Sequence, residues 1–374
     1  MSTKRNPNKR RGCLRAFLSL IGVLVLLGFV SALTNIGLPQ PENSDRLAAA
    51  DKARLAEALQ LKSVLGDQIW PGWAEIQPPI IIWNHAFEFL TGYLGQTPAG
   101  WEAVPADTFN GKAYYLRPTQ DPQNFAVPVG DQWAASMATK TETDAFLIGT
   151  FRELFPTPLK QVFPYRVLVQ PSETQIGGLL HEDFHVFEIQ SARQRLDQAE
   201  HAHSYGDKYE AVGGSFAADF KQENGLLARA LAAKTNAEAA DLVREFLQKR
   251  AARRQAFKLD PTLVDYERWL EWEEGLAKYV EVASLRQAFQ TPGYSPLPAM
   301  ADDPYFKAYQ KFNSRWSQEL LQLRNPSGSP ETKLYMSGMA ESFLLDRLMP
   351  GWKSKVMQDG VFLEDLLRQA VGAS

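Results

Sequence analysis

The sequence predicts an α+β protein that is mainly α: a small antiparallel sheet followed by a helical body carrying a candidate metal site. Two observations predict it. Between residues 78 and 138, short apolar or aromatic runs alternate with Pro, Gly and Asn turns, the texture of paired strands. From residue 172 onward, apolar residues recur at helical spacing almost throughout. With 374 residues, 45% of them hydrophobic, the chain can build a large core or two subdomains sharing a cleft.

The N-terminus is set apart by charge. Lys4, Arg5, Lys9, Arg10, Arg11 and Arg15 precede any acid, the first being Glu42. The rest of the chain is acidic, which argues against a nucleic-acid partner. Residues 16–33, AFLSLIGVLVLLGFVSAL, carry no charge and can just span a bilayer as a helix. The expected layout is a basic cytoplasmic tail over 1–15, a transmembrane anchor over 16–33 and an extracytoplasmic body held at the cell membrane. The alternative is a signal peptide cleaved near Ala32, after Val30-Ser31, which would release a secreted body. The single cysteine, Cys13, lies before this segment, so the body has no disulfide.

Taken in order, residues 34–66 read as a polar tether and then a helix over 45–66. A sheet-containing subdomain is expected over 67–170, with strands at 78–83, 113–117, 124–129 and 132–138. Residues 141–155 read as a helix and 163–169 as a strand or extended segment. The helical subdomain occupies 171–374. Residues 197–214 read as a polar loop within it. Helices are expected at 215–233, at 237–255 capped by Asn236, and from Asp260-Pro261 to about 290, where a cap precedes proline at the first turn. Further helices read at 303–323, 330–349 and 361–371. Lys249, Arg250, Arg253 and Arg254 suit the C-terminal end of their helix, where cations meet the negative end of the dipole.

The stretch that carries chemistry is His181-Glu182-Asp183-Phe184-His185, which fits H-E-x-x-H. Residues four apart share a helix face, so His181 and His185 can grip one metal ion, with Glu182 beside them as a general base. Ser172 and Gln175 after Pro171 read as a capping box. Ile176, Leu180, Phe184 and Phe187 form an apolar stripe, next to one bearing His181, His185 and Glu188. Gly177 and Gly178, one turn earlier, would let another chain segment or a ligand come close. Zinc needs a further protein ligand with one position open. His201 and His203 could supply one from the loop. A longer metal motif, H-E-x-x-H-x-x-G-x-x-H, fails because Glu188 stands at its glycine.

Residues 273–281, EEGLAKYVE, fall on a later helix. H-E-x-x-H followed by a helix bearing E-G-x-A-x-Y-x-E resembles the gluzincin peptidases, most closely the aminopeptidase N branch. The resemblance implies a zincin-like fold, zinc as cofactor and Glu274 as third ligand. Gly275 and Ala277 are small and would let this helix approach the H-E-x-x-H helix. Glu281 can hold the far nitrogen of a ligating imidazole. In that branch a helix beginning Y-x-K-G carries a tyrosine on the transition-state oxyanion. Here Tyr335 and Gly338 match, while Ser337 replaces the lysine. A packing role beside Phe343 and Leu344 is the other reading of Tyr335, and Tyr279 and Tyr309 are other candidates. The chain departs from the branch in the long gap between His185 and Glu274 and in lacking the G-x-M-E-N motif that grips a free amino end. In the thermolysin branch an acid follows the ligand by four; here that position is Lys278. The expected function is a zinc metallopeptidase acting on a peptide or protein substrate, with Glu182 and Tyr335 catalytic. The alternative is a non-catalytic binding or scaffold module of the same fold.

Overall fold

A computed structural model of the chain describes residues 22–23, 26, 28–157 and 159–373. The first long helix, Ala49–Ile69, buries Leu55, Leu61, Leu65 and Ile69 along one side. That apolar stripe lets it lie in the core against the metal-motif helix rather than on the surface.

Six strands follow: β1 (Ile80–Trp83), β2 (Phe87–Thr91), β3 (Glu102–Ala103), β4 (Tyr115–Pro118), β5 (Phe125–Val129) and β6 (Gln132–Ala138). Their order is β3-β4-β2-β1-β6-β5. β1 pairs antiparallel with β2, and β5 with β6, as short hairpins dictate. The central pair differs from expectation. β1 and β6 run parallel, with Ile80 opposite Ala135 and Trp83 opposite Ala138. The sheet is therefore mixed, not purely antiparallel, because the chain leaves β1, builds the β2–β4 side, and re-enters on the other side in the same direction. β2 was not expected. Its Glu88 is buried and accepts from Arg117 Nε of β4 at 2.7 Å, which makes a charged residue tolerable inside a strand. Within 163–169, Tyr165–Leu168 form a 3₁₀ turn rather than a strand.

The rest is helical. The motif helix, Ser172–Ala202, is longer than expected and bends at Ala192, whose φ is −151° and ψ 46°. Leu196, Ala199 and Ala202 are buried, so the first part of the expected 197–214 loop is helix, followed by a short helix at Gly206–Glu210. Helices follow at Phe216–Ala232, Asn236–Ala256 and Pro261–Gln290, the last capped by Asp260 through the N–H of Thr262. The cap of the 236–256 helix is Thr235, not Asn236. Beyond it lie Phe312–Arg324 and Pro330–Leu348. Helix was expected from residue 303. The chain instead forms a 3₁₀ turn at Pro298–Asp302 and irregular structure up to 311. One apolar cluster joins the first helix, Ile80, Ile82 and Met137 of the sheet, the motif helix and the 261–290 and 330–348 helices.

The single-pass membrane placement is corrected. Among the described residues no helix is long and apolar enough to cross a membrane. The basic tail, Cys13 and most of 16–33 lie outside the described residues. The described end of that segment is helical and touches the body: Ser31 Oγ donates to the carbonyl of Val162, and Asn35 Nδ2 to that of Phe163 at 2.8 Å.

Candidate metal centre

Four elements build the site. The motif helix begins without the expected capping box: Pro171 is its N-cap and no side chain caps it. Ser172 Oγ instead donates to Asp303 Oδ2 at 2.7 Å, and Gln175 Nε2 donates to the carbonyl of Ala138 at the end of β6. The first bond ties the helix start to the end of the 298–302 turn and the second ties it to the sheet, so the histidines one to three turns later are fixed relative to β6. Two glycines let the neighbours close in. A Cβ on Gly177 would lie 3.0 Å from Glu281 Cγ, and one on Gly178 would lie 2.5 Å from Met137 Cε.

The 261–290 helix supplies the carboxylates. Glu274 Oε2 lies 3.1 Å from His181 Nε2 and 3.6 Å from His185 Nε2. His181, His185 and Glu274 are all buried and form a group that could hold a metal ion. Among the described residues His185 Nε2 has no hydrogen-bond partner. Two imidazole nitrogens and a carboxylate oxygen converging in a buried space repel one another unless a cation or protons lie between them. Nitrogen and oxygen donors in that number suit zinc. The residues present thus fit the metal that the motif implies.

Carboxylates face both far nitrogens, and one of the two is hydrogen-bonded. His185 Nδ1 is 2.7 Å from Glu188 Oε2, and His181 Nδ1 is 3.8 Å from Glu281 Oε2. Glu188 was not assigned this part, although its place three residues after His185 was visible in the sequence. Glu281 is brought to His181 as expected, and Lys278 Nζ at 2.8 Å and Arg315 Nη2 at 2.7 Å hold it. Burial pushes its carboxyl up, but Lys278 and Arg315 outweigh that and bring it down to about 2. Burial likewise opposes ionisation of Glu274, yet His181 and His185 hold it below the usual carboxylate range. Glu182 is buried and has no ion-pair or hydrogen-bond partner among the described residues. Its burial raises its carboxyl to about 7, against the pull of His181 and His185. Phe125 of edge strand β5 covers His185, ring centroids 4.6 Å apart.

Tyr335 reaches the site from the 330–348 helix. Its ring stacks on His181, centroids 5.9 Å apart and planes 28° apart, and its hydroxyl donates to Glu331 Oε1 at 3.1 Å. It does not pack on Phe343, which meets Tyr279 and Trp316 instead. Tyr279 and Tyr309 are away from the histidines, donating to Asp346 and Glu57 respectively. Gly275 does not face the motif helix as expected; it faces Gly338. Ser337, at the place of the expected lysine, donates to Glu271 Oε1.

Two other expectations change. His201 is exposed, but His203 is half-buried with Nε2 2.9 Å from Glu273 Oε2, because the helix continues past residue 197 and turns His203 inward. Arg253 and Arg254 lie in the last turn of their helix, but the arginines are paired with buried carboxylates as well. Arg250 forms a paired bond to Glu271 at 2.6 and 2.9 Å, and Arg253 bonds Glu223 and Glu267, each at 2.6 Å. Compared with protein-family models, curated proteins and solved structures, the chain matches none of them.

Proposed function

We propose that this chain is a zinc metallopeptidase of zincin-like fold, with His181, His185 and Glu274 as ligands, Glu182 as general base and Tyr335 as oxyanion donor. One observation carries the reading: nitrogens of an i, i+4 histidine pair and an oxygen of a glutamate 93 residues away converge in a buried space, with Glu182 adjacent. The small sheet N-terminal to the motif helix, separated from it by a helix at Lys140–Leu154, and the partial match of 274–281 and 335–338 to the gluzincin pattern, support it. A zinc ion bound there supplies Lewis acidity, polarising a peptide carbonyl and acidifying water.

Glu182 takes the proton of the attacking water. Its raised affinity for a proton, set by burial, suits a group that accepts one and then returns it to the leaving amine. His185 keeps the tautomer that turns Nε2 inward because Glu188 Oε2 lies 2.7 Å from its Nδ1. Tyr335 is neutral at working pH, since burial and the nearby Glu274 and Glu331 push its hydroxyl far above its ordinary value. It can therefore donate to the developing oxyanion.

The test is made on the full chain. Metal content and cleavage of a mixed peptide library are measured for wild type and Glu182→Gln. Zinc in both with cleavage only in wild type supports the peptidase. Zinc in both with no cleavage by either leaves a metal-dependent scaffold, and no zinc in wild type ends the reading.

A further inference from the structure

Beside the three ligands lies a second convergence. His203, Glu274 and Glu331 bring one ring nitrogen and two carboxylate oxygens within 4.8 Å of one another, and Glu274 belongs to both groups. His203 stands on the turn that ends the motif helix, Glu331 on the first turn of the 330–348 helix, and Glu274 between them.

His203 is built like His185. His185 has Nδ1 on Glu188 at 2.7 Å, and His203 has Nε2 at 2.9 Å from the fully buried Glu273. A carboxylate on one ring nitrogen fixes the tautomer and leaves the other nitrogen as a lone pair, the arrangement that metal-ligating histidines use. In His203 that other nitrogen, Nδ1, is 3.7 Å from Glu331 Oε1. A histidine that only covered the surface would have no use for a buried carboxylate behind it.

Charge points the same way. Among the described residues no Lys or Arg pairs with Glu273, Glu274 or Glu331; their ion-pair partners are His181, His185 and His203. Glu273 Oε1 is buried without a hydrogen-bond partner among the described residues. One divalent ion at His181, His185 and Glu274 leaves the outer carboxylates facing a single imidazole. Two-metal hydrolytic sites place their ions about 3.5–4 Å apart, a span that one carboxylate can bridge.

We propose that the chain holds a second divalent cation at His203, Glu274 and Glu331, bridged through Glu274 to the first. The inference rests on the metal reading above for the first ion and goes beyond it in number and in ligands. Imidazole with carboxylates suits a first-row divalent ion such as Zn²⁺. The second ion would sit on the Tyr335 side, since Tyr335 already donates to Glu331.

The full chain is stripped with a chelator, reloaded with Zn²⁺, freed of excess by gel filtration, and its zinc per chain measured. Wild type, His203→Ala and Glu331→Gln are compared, with melting of the stripped proteins as a check on folding; His203 and Glu331 are only half-buried, so all three should fold. Two ions in wild type and one in each variant is the expected result. In the Co²⁺-loaded wild type, magnetic coupling between two ions should appear, and it should vanish in His203→Ala. One ion in wild type and one in His203→Ala overturns the second site and leaves the first standing. One ion in wild type and none in His203→Ala overturns both ligand sets, and none in wild type removes the metal reading altogether.

Discussion

Gly275 and Gly338 face each other where the 261–290 and 330–348 helices cross: a Cβ on Gly275 would lie 2.6 Å from Gly338 Cα. Backbone meets backbone there, with no side chain between. This contact places Tyr335, one turn before Gly338, against His181, and Glu274, beside Gly275, within reach of both histidines. Glycine in a helix costs about 1 kcal/mol against alanine, so the pair is tolerated for the close crossing it permits.

Gly338→Ala should therefore separate the helices. Overpacking of this kind costs about 1–3 kcal/mol, and here the obstacle is backbone, which cannot rotate aside. Thermal denaturation should show a clear loss for Gly338→Ala and much less for Gly178→Ala, whose obstacle is the flexible end of Met137. Equal melting of Gly338→Ala and wild type would disprove the tight crossing.

Glu274→Ala should lose zinc or bind it far more weakly, because it removes the carboxylate of the His181–His185–Glu274 group. His201→Ala should keep wild-type zinc content, since His201 is exposed and its ring lies against Tyr205, away from the ligand group. Metal analysis after dialysis decides it: retention of all zinc by Glu274→Ala would move the ligand elsewhere.

Glu281→Gln keeps the shape but removes the charge facing His181. Losing such a partner typically weakens metal binding by roughly 10–100-fold. The same substitution leaves Lys278 and Arg315 without their shared carboxylate, though both retain Glu319. Zinc competition against a chromogenic chelator should show the weakening with the fold intact by circular dichroism.

Arg250→Met tests the buried ion cluster. Arg250 is buried and pairs with Glu271, Glu341 and Glu364. Removing one partner of a buried pair costs about 3–5 kcal/mol, and here several carboxylates are left uncompensated. Denaturant unfolding should report a loss of that size; a change within about 0.5 kcal/mol, the range of ordinary surface substitutions, would disprove the buried cluster's contribution.

The parts legible in the sequence were those set by local spacing. His181, Glu182 and His185 need only one helix, and Asp260-Pro261 announced a helix start that the structure contains. Glu274 is 93 residues from His181, so no spacing could join them, and only the resemblance to a known pattern singled it out. Arg250 looked like a helix-end cation because its partners, Glu271, Glu341 and Glu364, come from later helices. His203 was hidden by a polar stretch, although Leu196, Ala199 and Ala202 recur every three residues and signal that the helix continues. The parallel pairing of β1 with β6 was hidden too, since a short apolar run carries no mark of strand direction.

Tyr335→Phe separates catalysis from packing. Negative charge builds on the carbonyl oxygen as water adds to a peptide, and a neutral donor opposite the metal offsets part of it. Tyr335 is suited by place, with its ring stacked on His181, and by bonding, with its hydroxyl on Glu331 Oε1 rather than locked in the core. Phenylalanine keeps the stack and removes only the hydroxyl, which is half-buried with Glu331 as its hydrogen-bond acceptor. The variant should keep zinc content and melting temperature, and should lose roughly 10²–10³ in kcat, the usual loss for one oxyanion donor. KM should change little, because the bond to substrate forms mainly in the transition state. Tyr279→Phe, whose hydroxyl is committed to Asp346, should leave kcat alone. An unchanged kcat in Tyr335→Phe would remove the hydroxyl from the mechanism, and a lowered melting temperature with it would make Tyr335 a packing residue whose hydrogen bond to Glu331 is structural.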